Sequence, residues 1–457
     1  MQKHFWKNFF SEPAKILGRG VEEVELVEKK VVNKRPFKLA EEYWNTLGPG
    51  LTTGASDDDP SGIATYSQTG AQYGFQLLWL AAFTFPLMAV VQEMCARIGV
   101  VTGRGLAANI RHHYPRYILY ITTALLCAAN TFNIGADLGA MVKATQLIFP
   151  HAWFTLLIIL FAGISLLLQI FTTYARYAKY LKYLALVLFA YVFSALFSHL
   201  DWSQVVVHSL TPSLSFTKGQ IYLVCGILGT TISPYLFFWQ TSQEVEEENL
   251  RNQKTGTEWH QHPTKREVKH IRTDVWSGMF FSNAVMFFII AACAGTLYVH
   301  GITNIKTAAD AAEALRPLAG NLAYFLFALG IIGTGMLAIP VLAGSTSYAI
   351  SESFGWKNGL YRKLKEAYAF YGIIIVSMLV GFMLNFIGLD PIKALIYSAV
   401  GNGLVAPVVL VLIVHMSSNK NIMQEYTNRS WVTWLGWITV MIMTIAGVTT
   451  ILSLFFQ

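Results

Sequence analysis

Gly54-Ala55-Ser56-Asp57-Asp58-Asp59-Pro60-Ser61-Gly62 puts three consecutive carboxylates and a helix-breaking proline into a chain otherwise dominated by apolar runs. A carboxylate near the middle of a bilayer costs roughly 2.5 to 3.5 kcal/mol on insertion scales, so three persist there only where they line water, take up protons or meet a cation. In a surface loop the same residues would mean only that Asp59 caps a helix starting at Pro60. The choice depends on whether residues 45–70 cross a membrane.

Composition points to a membrane. Of 457 residues 54% are apolar and 13% charged, with 30 Phe, 21 Tyr and 12 Trp, far from the roughly 25% charged of soluble domains. The chain is expected to be an all-α, multi-pass protein of the lipid bilayer. Its formal charge of +7 comes from Lys and Arg in short loops, where they set topology rather than bind nucleic acid. Cys95, Cys127, Cys225 and Cys293 fall in apolar segments without zinc or redox spacing and read as packing residues. No nucleophile–base pair, phosphate loop or cofactor motif occurs, so neither an enzyme nor a resident cofactor is expected. Residues 1–44 lack an apolar h-region and predict a cytoplasmic tail rather than a cleaved leader.

Hydropathy predicts spans near 76–98, 117–147, 153–173, 183–198, 275–299, 322–350, 368–388, 392–415 and 431–456, each able to cross about 30 Å of hydrocarbon. Two more are interrupted: 217–243, broken at Gly229-Thr230-Thr231-Ile232-Ser233-Pro234, and 45–70. Basic clusters follow alternate spans: Arg97 to Arg116, Arg176 to Lys182, Arg251 to Arg272, Lys357 to Lys365, then Lys420 and Arg429. The intervening loops are nearly uncharged. All basic loops share the cytoplasmic side only if both interrupted segments cross once. The expectation is eleven helices, with the N-terminus cytoplasmic and the C-terminus extracellular.

The broken segments then become the first and sixth spans, each opening a set of five. Paired interrupted helices at matching positions point to a transporter of inverted repeats with its site at the midplane. The predicted organisation is a first repeat over 45–199, a second over 217–416 and an added helix over 430–457. The unwound turns would expose carbonyls beside carboxylates, oxygen ligands for a hard cation.

These residues carry a resemblance. Gly48-Pro49-Gly50, Asp59-Pro60, Gly70-Ala71-Gln72-Tyr73-Gly74 and Ala96-Arg97-Ile98-Gly99-Val100-Val101-Thr102-Gly103 resemble the start of the Nramp family of divalent-metal transporters. Gly226-Ile227-Leu228-Gly229-Thr230-Thr231 with Pro234, Leu326-Phe327-Ala328-Leu329-Gly330 and Asp390-Pro391-Ile392-Lys393 resemble its sixth, eighth and tenth helices. The resemblance implies the LeuT-type five-plus-five inverted repeat with an eleventh helix, working on a divalent metal ion; a monomer is expected.

The departures from the family pattern indicate which ion. The family's first broken helix carries Asp-Pro-Gly-Asn, whose Asp and Asn bind metal; this chain keeps Asp59 but has Gly62 for the Asn. The family's Met-Pro-His becomes Ser233, Pro234 and Tyr235, and the position of a ligating carbonyl falls at Thr230. Asp57 and Asp58 stand where the family usually has apolar residues. Thioether sulfur favours soft metals, whereas carboxylate, carbonyl, hydroxyl and water suit magnesium and manganese. Magnesium also keeps several waters, which a site widened at Gly62 would accommodate. The pattern is similar to the Nramp-related magnesium transporter branch, and it predicts Mg2+ as main cargo with Mn2+ second. Calcium stays open on charge alone.

Proton coupling is expected to be lost. Family positions for two His residues hold Tyr235 and Gln240, and those for a helix-3 Asp and Glu align with Asn133 and Ala136. None of these relays protons near neutral pH as His or a carboxylate does. Asp137 could bear a proton, contact the ion, or pair with Lys143. Asn402 could face the ion path, with interhelical hydrogen bonding the plainer expectation. Glu93 and Arg104 read as gate or structural pairs. His260, His262 and His270 with Glu244, Glu246, Glu247 and Glu248 read as a solvated charged loop. Two rivals remain: a proton-coupled Mn2+ or Fe2+ transporter, and a sodium-coupled carrier of an organic solute.

Overall fold

In hydrocarbon an apolar run satisfies its backbone polar groups only as a helix or a closed barrel, and every regular element here is helical among the described residues. The computed structural model describes residues 48–172, 188–198, 200–255 and 263–455. The predicted tail, the basic group Arg176, Lys179 and Lys182, and His260 and His262 lie outside the described residues.

The principal helices in chain order are α1 (Pro49–Asp57), α2 (Pro60–Tyr73), α3 (Trp79–Thr102), α4 (Leu106–His113), α5 (Arg116–Ile148), α6 (Phe154–Phe171), α7 (Phe189–Phe197) and α8 (Trp202–Leu210). They continue as α9 (Lys218–Thr231), α10 (Pro234–Thr255), α11 (Lys265–Cys293), α12 (Ala323–Phe354), α13 (Tyr368–Leu384), α14 (Pro391–Ser418) and α15 (Ser430–Phe455). Among the described residues, eight helical segments are long and apolar enough to cross a bilayer: α3, α5, α6, α9 joined to α10, α11, the segment ending in α12, α14 and α15. α13 is apolar but shorter. α1 and α2 form the interrupted first segment, and α7 is the described part of the predicted fifth.

Both interruptions have a local cause. α1 ends at Asp57, and Asp59 caps α2 in an extended conformation with Pro60 in the first turn. A proline fits that place because the missing N–H would have no partner there. α9 ends at Thr231, and Pro234 forbids continuation and opens α10, leaving only Ile232 and Ser233 between them. The plain capping role and the broken-span role of Asp59 are therefore one feature. α14 opens the same way, with Asp390 accepting from the N–H groups of Ile392 and Lys393 before Pro391 can propagate the helix.

Small residues let the broken helices sit close to their neighbours, as is usual where lipid gives no hydrophobic drive between helices. A Cβ on Gly54 of α1 would lie 2.3 Å from the carbonyl oxygen of Gly278 in α11, and one on Gly229 of α9 would lie 2.1 Å from the carbonyl oxygen of Ala399 in α14. The start of α1 is held by Asp274 of α11, whose carboxylate accepts from the N–H of Gly50 at 2.7 Å and of Leu51 at 3.1 Å. Negative charge at a helix N-terminus is favourable.

Several polar expectations are revised. Arg97 lies buried in α3 rather than in a solvated loop; it neighbours Glu93 at 3.7 Å and bonds Asn428. Glu93 accepts from Arg272 at 2.8 Å and from the Trp276 ring at 2.8 Å, not from Arg104. Glu244 and Glu246 are buried on α10, not in a loop: Gln240 donates to Glu244 at 2.8 Å, and Tyr348 and the Leu360 N–H donate to Glu246. Each carboxylate has structural partners. The four cysteines are free.

Replacing Gly54 by Val should lower stability by about 1–3 kcal/mol, read as a lower unfolding temperature in detergent. Gly163→Ala, whose Cβ meets nothing within 4 Å, should leave it nearly unchanged.

Candidate metal site at the two helix breaks

The breaks of α1–α2 and α9–α10 bring acids, hydroxyls and helix ends together in the protein interior. Asp57, Asp58 and Asp59 are 0%, 3% and 1% exposed. They do not converge. Asp59 turns toward α5: it accepts from Ser61 Oγ at 2.7 Å, from the Gly62 N–H at 2.8 Å and from Asn133 Nδ2 at 2.8 Å. Asn133 in turn accepts from Ser398 Oγ of α14 at 2.5 Å. Asp57 and Asp58 turn toward α11, where Ser282 Oγ lies 2.5 Å from Asp57 Oδ2 and 3.4 Å from Asp58 Oδ1. One hydroxyl proton cannot serve both, and the shorter contact assigns it to Asp57. Asp58 is thereby the least engaged of the three.

The ion pairs among the described residues involve Glu93, Glu248, Glu267 and Glu313 and none of these aspartates. Burying several carboxylates without a paired cation is strongly unfavourable. Among the described residues no three His, Cys, Asp or Glu side chains form a group that could hold a metal by themselves. An ion at the breaks would therefore draw on carbonyls, hydroxyls and its own water as well as on carboxylate.

The second break supplies such oxygens. Ser233 Oγ donates back to Thr230 O at 2.7 Å or Gly229 O at 2.8 Å. A carbonyl has two lone pairs, so Thr230 O keeps one in reserve. The C-terminal ends of α1 and α9 also carry partial negative charge. Tyr235 donates from its hydroxyl to Ser56 O at 3.0 Å, bridging α10 to the end of α1. Gln240 accepts from Thr53 Oγ1 at 2.5 Å and donates to Glu244.

Gly62 does not leave open room. A Cβ there would stand 3.3 Å from Cε2 of Tyr66, one turn along α2, so the phenol ring occupies the space that the expected widening assumed. Two further polar residues lack partners. Both carboxylate oxygens of Asp137 and both side-chain polar atoms of Asn402 are buried without a hydrogen bond. Of the alternatives for Asp137, the pairing with Lys143 is not formed; the Lys143 ammonium lies 5.7 Å from the centre of the Phe154 ring. The expected interhelical bond of Asn402 is likewise absent.

Sequence reasoning did not find Ser61, Tyr66, Ser282 and Ser398, and treated Asn133 only as a lost proton group. Ser282 and Ser398 are hydroxyls within apolar spans, the one signal that could have marked them.

The sequence matches the family described as Natural resistance-associated macrophage protein-like over residues 50–453. The chain belongs to the Nramp family. This Nramp chain is 25% identical over 418 residues to the divalent metal cation transporter MntH of Klebsiella pneumoniae strain 342, covering 89% of this chain and 92% of the relative. The MntH protein of Klebsiella pneumoniae subsp. pneumoniae gives the same figures. Its fold resembles solved structures of the Eremococcus coleocola manganese transporter. A point variant superposes with a TM-score of 0.66 at 19% identity over 88% of this chain and 84% of that one. A complex with an aromatic bis-isothiourea compound gives 0.65 at 20% identity over 90% and 86%. The Nramp fold thus spans most of the chain, and the long apolar helices make it a multi-pass membrane protein.

Asn133→Ala and Ser398→Ala should each cost about 1–3 kcal/mol, the price of an under-bonded buried group. The double variant should lose less than the sum, because both act on one chain of bonds ending at Asp59. Unfolding of the four proteins in detergent measures this; full additivity would separate the two residues.

Proposed function

We propose that this Nramp chain carries divalent metal ions across the cell membrane, Mg2+ chiefly and Mn2+ second, partly hydrated, by alternating access and without proton coupling. The carrying observation is the burial of three consecutive aspartates at the α1–α2 break, with no ion-pair partner for any of them among the described residues. The names of the relatives, a divalent metal cation transporter and a manganese transporter, support the class of cargo.

Hard-ion preference rests on the donors. Asp58, Asp59 and the carbonyl of Thr230 are the proposed direct or water-mediated ligands, with Asp57, Ser233 and the backbone near Gly62 bordering the ion. All are oxygen donors, which suits magnesium and manganese. Among the described residues no three acid or imidazole side chains converge, which supports an ion that keeps water, as magnesium tends to. Tyr235, Gln240, Asp137 and Asn402 border the proposed route. Tyr235 and Gln240 are engaged with Ser56, Thr53 and Glu244 and offer no group that exchanges protons near neutral pH. Inward flux would then follow the membrane potential, about 2.3 kcal/mol per charge per 100 mV.

The proposed transporter has its repeats over 45–199 and 217–416 with an added helix over 430–457. It is a monomer in the bilayer, with the N-terminus cytoplasmic and the C-terminus extracellular. One observation favours the proton-coupled alternative: Asp137 is a buried carboxylate without a partner. A sodium-coupled carrier of an organic anion is disfavoured, because the three acids would repel it.

Asp59→Ala should reduce Mg2+ uptake by proteoliposomes to background, and unchanged uptake would sink the site assignment. Gly62→Asn combined with Ser233→Met should move preference toward Mn2+, measured as the ratio of Mg2+ to Mn2+ uptake in the same vesicles.

A further inference from the structure

Gly62 and Tyr66 are four residues apart on α2, so the Tyr66 side chain leans back over the turn that Gly62 opens. Its ring fills the place of the absent side chain, with Cε2 3.3 Å from where a Cβ on Gly62 would stand. Tyr66 is 0% exposed. Its hydroxyl crosses to the other broken segment and lies 3.1 Å from Thr230 Oγ1, a donor to it in the last turn of α9. Thr230 has two competing backbone acceptors, Ile227 O at 3.0 Å and Gly226 O at 3.2 Å. Its single proton serves one of the three. A phenol is both donor and acceptor, so in either arrangement the Tyr66 hydroxyl keeps hydrogen-bonding capacity to spare.

From this geometry we infer that Tyr66 is a specificity-determining residue of the metal site: its hydroxyl bonds a water of the hydrated cation and its ring sets the width of the site. The inference rests on the proposed metal site. It changes the meaning of Gly62, which serves to admit the Tyr66 ring rather than to leave a void. A smaller ion that sheds water reluctantly depends more on such water-mediated contacts than one that dehydrates easily. Magnesium should therefore feel the loss of the hydroxyl more than manganese.

The test is KM for Mg2+ and for Mn2+ in proteoliposomes for the parent, Tyr66→Phe, Gly62→Ala and the double variant. Tyr66→Phe keeps the ring and the fold. It should raise the Mg2+ KM by about fivefold to tenfold and the Mn2+ KM clearly less. Gly62→Ala, which displaces the ring, should change the ratio of the two KM values in the same direction and add nothing in the Tyr66→Phe background. A structural role alone would lower maximal flux for both ions alike, and an unchanged ratio in Tyr66→Phe overturns the inference. If the parent carries no Mg2+, the proposed cargo fails on that result alone. Tyr66 is then judged on Mn2+, and an unchanged Mn2+ KM in Tyr66→Phe overturns it.

Discussion

Everything near the centre of this protein answers to one constraint, the burial of three adjacent carboxylates where the first membrane segment is interrupted. A buried carboxylate must be hydrogen-bonded, neutralised or paired with a cation. Two of these obtain hydroxyl or amide partners from distant helices, Ser282 of α11 for Asp57 and Asn133 of α5 for Asp59. Those partners need close helix approach, which explains the glycine contact between Gly54 and Gly278. Capping by Asp59 starts α2, and the same carboxylate fixes α5 and, through Asn133, α14.

The second break complements the first. Pro234 ends α9 early enough to leave carbonyls of Gly229 and Thr230 facing the Ser233 hydroxyl, while Tyr235 ties α10 to the end of α1. The proposed movement of ions requires these ties to give way in turn. α1 is short and depends on such ties, being held by Asp274 at its start, Gln240 at Thr53 and Tyr235 at Ser56. All three come from α10 and α11.

Much of the architecture was legible in the sequence for a physical reason. A continuous apolar run of membrane length satisfies its own backbone in lipid only as a helix, so predicted spans such as 117–147 and 431–456 lie within a residue or so of α5 and α15. The breaks were legible because Asp-Pro and Ser-Pro stop helices locally. What the sequence could not convey was direction. Asp57, Asp58 and Asp59 are neighbours in the chain, yet the non-helical link turns Asp59 toward α5 and leaves Asp57 and Asp58 facing α11. The Tyr66 ring over Gly62 reads, by letter, as one more buried aromatic. A pairing of Asp137 with Lys143 was one of the open alternatives, but the Lys143 ammonium lies by the Phe154 ring instead.

The central claim is that the buried acids pass a hard, hydrated cation without moving protons. Its most direct measurement is Mg2+ influx into proteoliposomes holding the purified protein, with an internal pH dye and an imposed inside-negative potential. Mg2+ influx should grow with the potential and leave the internal pH unchanged. Influx of Mn2+ but not Mg2+, accompanied by internal acidification, would contradict it.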